Sequence, residues 1–141
     1  MDLWDAITTR RSIGLVKQEL PLRESIERML EAATWAPNHH LTEPWRFFVL
    51  TGDARVRLGE AMAEIAKARL ADPDTEESRK KIEKQKENPL RAPVVIAVAV
   101  APSERENVEE LEEIEAVACG VQNMLLTAHS LGLGAVWRTG A

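Results

Sequence analysis

The stretch Ala92-Pro93-Val94-Val95-Ile96-Ala97-Val98-Ala99-Val100 constrains the fold most, because it carries no polar face. A strand wetted on one side alternates apolar and polar residues, so a run without alternation predicts a central strand covered on both faces. Extended to Ala101, the run is still about half of the roughly 20 apolar residues that a membrane-spanning helix needs. The opening Met1-Asp2-Leu3-Trp4-Asp5 adds two acids and no basic flank. Neither export nor membrane insertion is expected.

The remaining chain reads mostly as helices. Leu3, Trp4, Ala6 and Ile7 recur at helical spacing over residues 3–9, with Asp2 placed as N-cap and an end near Arg10-Arg11. Pro21 is well placed to open a second helix through Leu22, Ile26, Met29, Leu30 and Ala33, which Pro37 stops before the loop Asn38-His39-His40. Residues 45–51 predict a buried first strand leaving into Gly52-Asp53. Residues 54–70 and 76–87 are amphipathic, and the charge-dense 71–88 region reads as a solvated excursion. An acidic run, 104–115, enters a long helix with a narrow stripe of Ala116, Gly120, Asn123, Met124 and Thr127, ending at Gly132. Ala135-Val136-Trp137 then predicts another strand. No repeat interrupts this α+β order.

Length and charge bound the functions. A chain of 141 residues predicts one domain over 1–141. A net charge of -5 argues against a broad electrostatic hold on nucleic acid or anionic lipid. Cys119 is the single cysteine, which rules out an intramolecular disulfide, fits a cytoplasmic setting, and within the small-residue stripe predicts a buried thiol.

Three clusters could carry chemistry. Arg10-Arg11-Ser12 offers two guanidinium forks and a hydroxyl, the donor density that a terminal phosphate needs, although basic residues also suit a helix C-terminus. Trp35 and His39 are four residues apart and share a face if the last helical turn continues, presenting a ring and an imidazole to a flat ligand; a core tryptophan and a surface histidine are the alternative. His39 and His40 beside Glu43 lack a recognisable metal-ligand spacing, so no metal is expected. Trp137-Arg138-Thr139-Gly140 follows a strand, where ligands commonly bind in open α/β sheets. No G-x-G-x-x-G after a strand, P-loop or G-x-S-x-G elbow is present.

Taken in order, Arg10-Arg11-Ser12, Ala36-Pro37, Pro44-Trp45-Arg46-Phe47, the block from Gly120 to Ala128, and Gly132-Leu133-Gly134-Ala135-Val136-Trp137-Arg138 resemble the nitroreductase family. The resemblance runs over essentially the whole chain. It implies an α+β fold with a mainly antiparallel sheet flanked by helices, and a homodimer with FMN at the interface. By the same resemblance, hydride passes from NADH or NADPH to a small oxidised substrate such as a nitroaromatic. Arg10, Arg11 and Ser12 would hold the FMN phosphate and ribityl region, Trp35 and His39 would line the flavin, and Trp137, Arg138 and Thr139 would close the site. The flavin carries the hydride, so no catalytic side chain is implied.

Three departures from the family pattern stand out. Gly14 occupies a position where many larger relatives have a basic residue near the flavin, and Leu41 and Glu43 stand where asparagine and glutamine are common. Related chains also continue past Trp-Arg-Thr-Gly-Ala, so the C-terminal part of the domain is expected to be missing, the sequence being either a fragment of a longer protein or a shortened member. Quinone or activated-alkene reduction is the alternative chemistry, and a flavin-binding or dimerising remnant the non-enzyme alternative. The small-residue stripe of the long helix is the expected dimer seam.

Overall fold

The computed structural model describes residues 1–139. Its elements run α1 (Leu3–Thr9), α2 (Arg23–Thr34), β1 (Trp45–Leu50), α3 (Asp53–Ala68), α4 (Glu76–Glu87), a 3-10 turn (Asn88–Arg91), β2 (Val95–Val100) and α5 (Glu110–Ser130). They group into two compact units. The first takes residues 1–14, 21–48 and 96–137, and the second residues 15–20, 49–95 and the chain from 138 onward.

In the first unit, α1 begins where the Asp2 carboxylate accepts the Asp5 N–H at 2.9 Å, as the sequence predicts. Helix α5 has Glu110, Glu112 and Glu113 in its first turn, where carboxylates favour the positive end of the helix dipole. It ends in a full Schellman motif. Gly132, at φ 74°, donates to the His129 carbonyl at 3.0 Å, and Leu133 donates to Ala128 at 2.9 Å. That turn directs Leu133 onto the core made by Met29, Ala33, Met124 and Ala128.

The stripe on α5 faces α2. A Cβ placed on Gly120 would lie 3.0 Å from the Ala33 carbonyl oxygen, and Asn123 Nδ2 donates to the Ala32 carbonyl at 3.1 Å. Ala33 is fully buried and Ala116 nearly so. The small residues therefore close an intramolecular helix pair, which corrects the expectation that this stripe forms a seam between subunits. Cys119 is exposed, also against expectation. It precedes Gly120 by one residue, and the roughly 100° step per residue turns it off the buried stripe.

Strands β1 and β2 form a two-stranded sheet. The Ala101 N–H, just past the end of β2, donates to the Pro44 carbonyl just before β1 at 2.7 Å, so the strands are antiparallel. The helix-rich chain with one small antiparallel sheet has the expected α+β character. Two strand expectations change. Within β1 only Trp45 is buried, and β2 is half-buried rather than covered on both faces. Among the described residues β2 has β1 as its one ladder partner, so it is not the interior of a wide sheet. Residues 135–137 form no strand; the Ala135 carbonyl accepts the Ile13 N–H at 2.9 Å, and one such bond is not a ladder.

In the second unit α3 packs on α4 and both on the 3-10 turn. The Thr75 hydroxyl caps α4 by accepting the Ser78 N–H at 3.1 Å, and the buried Ser78 hydroxyl donates to Asp72 O at 2.6 Å. Gln18 donates to the carbonyls of Leu90 and Arg91, tying residues 15–20 to the turn. The closest approach is at Gly59, where an added Cβ would stand 2.1 Å from the Lys86 carbonyl oxygen. Backbone must shift to admit any side chain there. Gly59→Ala is expected to destabilise the protein by about 1–3 kcal/mol, the usual range for overpacking, read as a lower urea midpoint. An unchanged midpoint would show that α3 and α4 can separate without loss.

Candidate functional site

The loop after α2 is built around one buried acid. Glu113, in the first turn of α5, is 1% exposed. Its Oε1 accepts the Thr42 hydroxyl at 2.5 Å and its Oε2 accepts the Ser103 N–H at 2.7 Å. Two donors on one carboxylate favour the charged form. The Thr42 hydroxyl first, and then the Ser103 amide, hold the Glu113 carboxyl below its ordinary pKa against the opposing effect of burial.

Asn38 completes the loop. Its Oδ1 accepts the Glu43 N–H at 2.8 Å, its carbonyl accepts the Leu41 N–H at 3.2 Å, and its Nδ2 donates to Thr42 Oγ1 at 3.4 Å. Leu41 and Glu43 sit at φ 50° and 49°, a left-handed backbone that non-glycine residues rarely adopt. Such a conformation persists where surrounding contacts over-determine it. Here those contacts come from Asn38, and through Thr42 from Glu113.

This frame presents two histidines. His39 Nδ1 lies 2.8 Å from Glu112 Oε2, the rings of His39 and His40 stack at 4.0 Å, and Arg105 donates to the His40 carbonyl at 2.8 Å. A cleft of about 490 Å³ opens between the loop and α5, lined by Pro37, Asn38, His39, Glu112, Ala116 and Cys119. A second, of about 440 Å³, is lined by Thr42, Arg46, Ser103 and Arg105 among others.

The other sequence-predicted residues lie as follows. At the end of α1, packed on α5, Arg11 Nη1 donates to the carbonyls of Thr8 and Arg10, so its guanidinium closes the helix C-terminus. Among the described residues, neither the Arg10 guanidinium nor the Ser12 hydroxyl has a hydrogen-bond or ion-pair partner. Trp35 is the C-cap of α2 and is 80% exposed. Because the helix stops at Thr34, Trp35 and His39 do not share a helical face. Trp137 is half exposed; in the second unit Arg138 donates to Asn88 Oδ1 at 3.3 Å, and Thr139 is exposed. Gly140 lies outside the described residues.

Residues 7–141 match the sequence model of the Nitroreductase family. The chain belongs to the nitroreductase family. Among similar proteins, the one named "Putative NAD(P)H nitroreductase YdjA" in Escherichia coli K12 is 32% identical over 141 residues, the alignment covering 100% of this chain and 74% of that protein. A crystal structure of a nitroreductase-like family protein from Bacillus cereus superposes with a TM-score of 0.81 at 29% identity, covering 100% of this chain and 71% of the other. A nitroreductase with bound FMN from Desulfitobacterium hafniense DCB-2 gives 0.66 at 25% identity, covering 92% and 65%.

Sequence reasoning missed Glu112, Glu113, Thr42 and Ser103. The signal for Glu113 was available: it stands three residues before Ala116 and seven before Gly120, in register with the buried stripe. A charged residue in that register calls for partners.

Because the folded pKa of Glu113 is lowered, the unfolded chain binds more protons between the folded value and the ordinary carboxylate value of about 4.3. The stabilisation is complete above that value and disappears as pH falls through the folded one. Glu113→Gln sets an amide N–H₂ against two donors, so it is expected to melt lower at neutral pH and to lose less stability than wild type as pH falls below the ordinary carboxylate value of about 4.3. Parallel acid-melting curves for the two proteins would contradict the assignment.

Proposed function

We propose that this chain is an FMN-dependent oxidoreductase that takes hydride from NADH or NADPH and passes it to a small oxidised acceptor such as a nitroaromatic. Membership of the nitroreductase family supports the reading, as do the bound FMN of the D. hafniense protein and the NAD(P)H in the name of the E. coli relative. The observation that carries it in this chain is the open donor set at the end of α1. The Arg10 guanidinium and Ser12 hydroxyl have no partners among the described residues, while Arg11 is held by its own helix.

These residues fit the phosphate of FMN. Phosphate oxygens accept hydrogen bonds, and an unengaged guanidinium supplies charge-assisted donors in a fork of matching geometry. Arg10 would bear most of that contact, with Ser12 adding a neutral hydrogen bond and Arg11 contributing charge from its fixed position. The exposed Trp35 ring and the His39 imidazole would line the flavin, and Trp137, Arg138 and Thr139 would close the site. Bound FMN would supply the hydride chemistry; the side chains would orient it and keep a face open to donor and acceptor in turn. No side-chain nucleophile is needed. The protein works in the cytoplasm as one domain on this reading.

Arg10→Ala is expected to weaken FMN binding by about 1.5–3 kcal/mol, the worth of a hydrogen bond to a charged group, and to leave riboflavin binding unchanged. Flavin-loaded wild type should bleach anaerobically on addition of NADH or NADPH. A yellow protein that bleaches with neither donor would refute the redox function, and equal FMN affinity in the variant would refute the phosphate site.

The active form is proposed to be a homodimer with FMN at the interface. Helix α1, whose Thr9 meets His129 near the C-terminal end of α5, exposes Leu3, Trp4 and Ile7, and α5 exposes Leu111 and Ile114 near its other end. Exposed apolar side chains in such number mark an interaction surface, and symmetric dimers are the commonest closed assembly. Sedimentation of the flavin-loaded protein should give a dimer, and Trp4→Glu with Leu111→Glu should shift it towards monomer. A flavin-loaded wild-type monomer would rule the dimer out.

A further inference from the structure

We propose that His39, His40 and Glu112 form a binding site for one divalent transition-metal ion of the zinc type. Each side chain offers a ligand atom, and the three lie within 4.8 Å of one another. They come from segments 73 residues apart, so loop and helix must both be in place to assemble them. Neighbouring histidines alone lacked a ligand spacing, and Glu43, the acid close in sequence, is not the third member. Glu112 is.

The ligand chemistry selects the metal class. Two imidazole nitrogens and one carboxylate, with a fourth position open to water, are a zinc donor set, whereas magnesium and calcium take oxygen ligands almost throughout. At a metal–ligand distance of about 2.0–2.1 Å, tetrahedral ligand atoms are about 3.3 Å apart. The His39 Nδ1 and Glu112 Oε2 pair, at 2.8 Å, is already closer than that. The remaining contraction, from at most 4.8 Å, is about 1.5 Å along the distances to His40, and the His39 and Glu112 side chains, 66% and 42% exposed, can rotate together to close it.

The surroundings favour a cation. Glu112 and Glu115 border the same cleft and Glu113 lies next to them, with the guanidinium of Arg105 engaged on the His40 carbonyl. Asn107 Nδ2 lies 3.5 Å from His40 Nδ1. With its amide turned so that the oxygen faces the ring, Asn107 would fix His40 in the tautomer whose other nitrogen binds metal. Cys119 borders the cleft but stands seven residues along α5 from Glu112, about 10.5 Å at 1.5 Å per residue, so water takes the fourth position. A bound ion would clamp the 38–43 loop to α5 from the solvent side, beside the contact that Glu113 makes in the interior.

Titration of the full chain with zinc chloride by calorimetry, and with cobalt chloride by visible absorption, tests the site. One zinc per chain is expected, with cobalt developing the ligand-field bands of a low-coordinate protein site and magnesium giving no heat. Loss of a mere outer-shell partner costs about 10–100-fold in metal affinity, so His40→Ala and Glu112→Gln should each weaken zinc by at least about tenfold. Zinc affinity equal in wild type and the double variant, or a cobalt spectrum identical to the hydrated ion, would overturn the proposal. His39 is shared with the proposed flavin lining, so the variants are placed at His40 and Glu112, which are not, and FMN titration of the same variants reports on the flavin reading separately.

Discussion

A carboxylate withdrawn from water is the contact on which the site depends. Glu113 is buried beneath the loop it organises, and an ionised acid is tolerated there because each oxygen has a donor. One donor is a side chain of the 38–43 loop and the other is the backbone just after β2. Three segments distant in sequence therefore meet at two oxygens. Loss of the acid would leave both donors without acceptors, a larger penalty than the loss of a favourable pair, because unsatisfied buried groups carry their whole desolvation cost. The left-handed conformations of Leu41 and Glu43 become intelligible in this light, since the loop is held at its middle by Thr42 and across its base by Asn38.

Helix α5 does two tasks with one face. At its N-terminal end the face carries Glu113, and further along it carries Ala116, Gly120, Met124 and Ala128, which press against α2. Close packing of the two helices fixes the end of α2, and hence the start of the loop, relative to the acid that receives it. A larger residue at Gly120 would push on the Ala33 backbone, one residue before the end of α2. Packing and electrostatics are therefore coupled through one rigid element.

Much of this was legible in the sequence, for identifiable reasons. Helix periodicity placed α1, α2 and α5, the Asp2 cap was readable from its position, and Trp45 with its branched neighbours marked β1. Periodicity is a local property, and these are local elements. What escaped was set by distant partners. An all-apolar run predicts burial on both faces, but β2 meets one strand among the described residues and stays half-buried. The stripe on α5 was correctly read as a close-packing face, while its partner was assigned to another subunit because spacing reveals a face and not what covers it. Glu112 and Glu113 were absorbed into an acidic run; the one reaches the His39 imidazole and the other the Thr42 hydroxyl only after the chain has folded.

Several residues of the blocks that resemble the family have packing duties. The most specific block, from Gly120 to Ala128, supplies Gly120, Asn123, Met124 and Ala128 to the α2–α5 contact, and Gly132 is needed for the turn that follows. Such positions are constrained by backbone approach and left-handed geometry, which many reactions can share on one scaffold. Leu41, Glu43, Arg46 and Arg105 have different surroundings: their side chains are exposed, while the guanidiniums of Arg46 and Arg105 donate to the carbonyls of Glu43 and His40 and so brace the loop from outside. Arg10 and Arg11 show the same division within two residues, the Arg11 guanidinium turned back onto its helix and that of Arg10 without a partner among the described residues. The packing stripe and the loop thus answer to different constraints within one helix–loop frame, close backbone approach in the first and side-chain and backbone hydrogen bonds in the second.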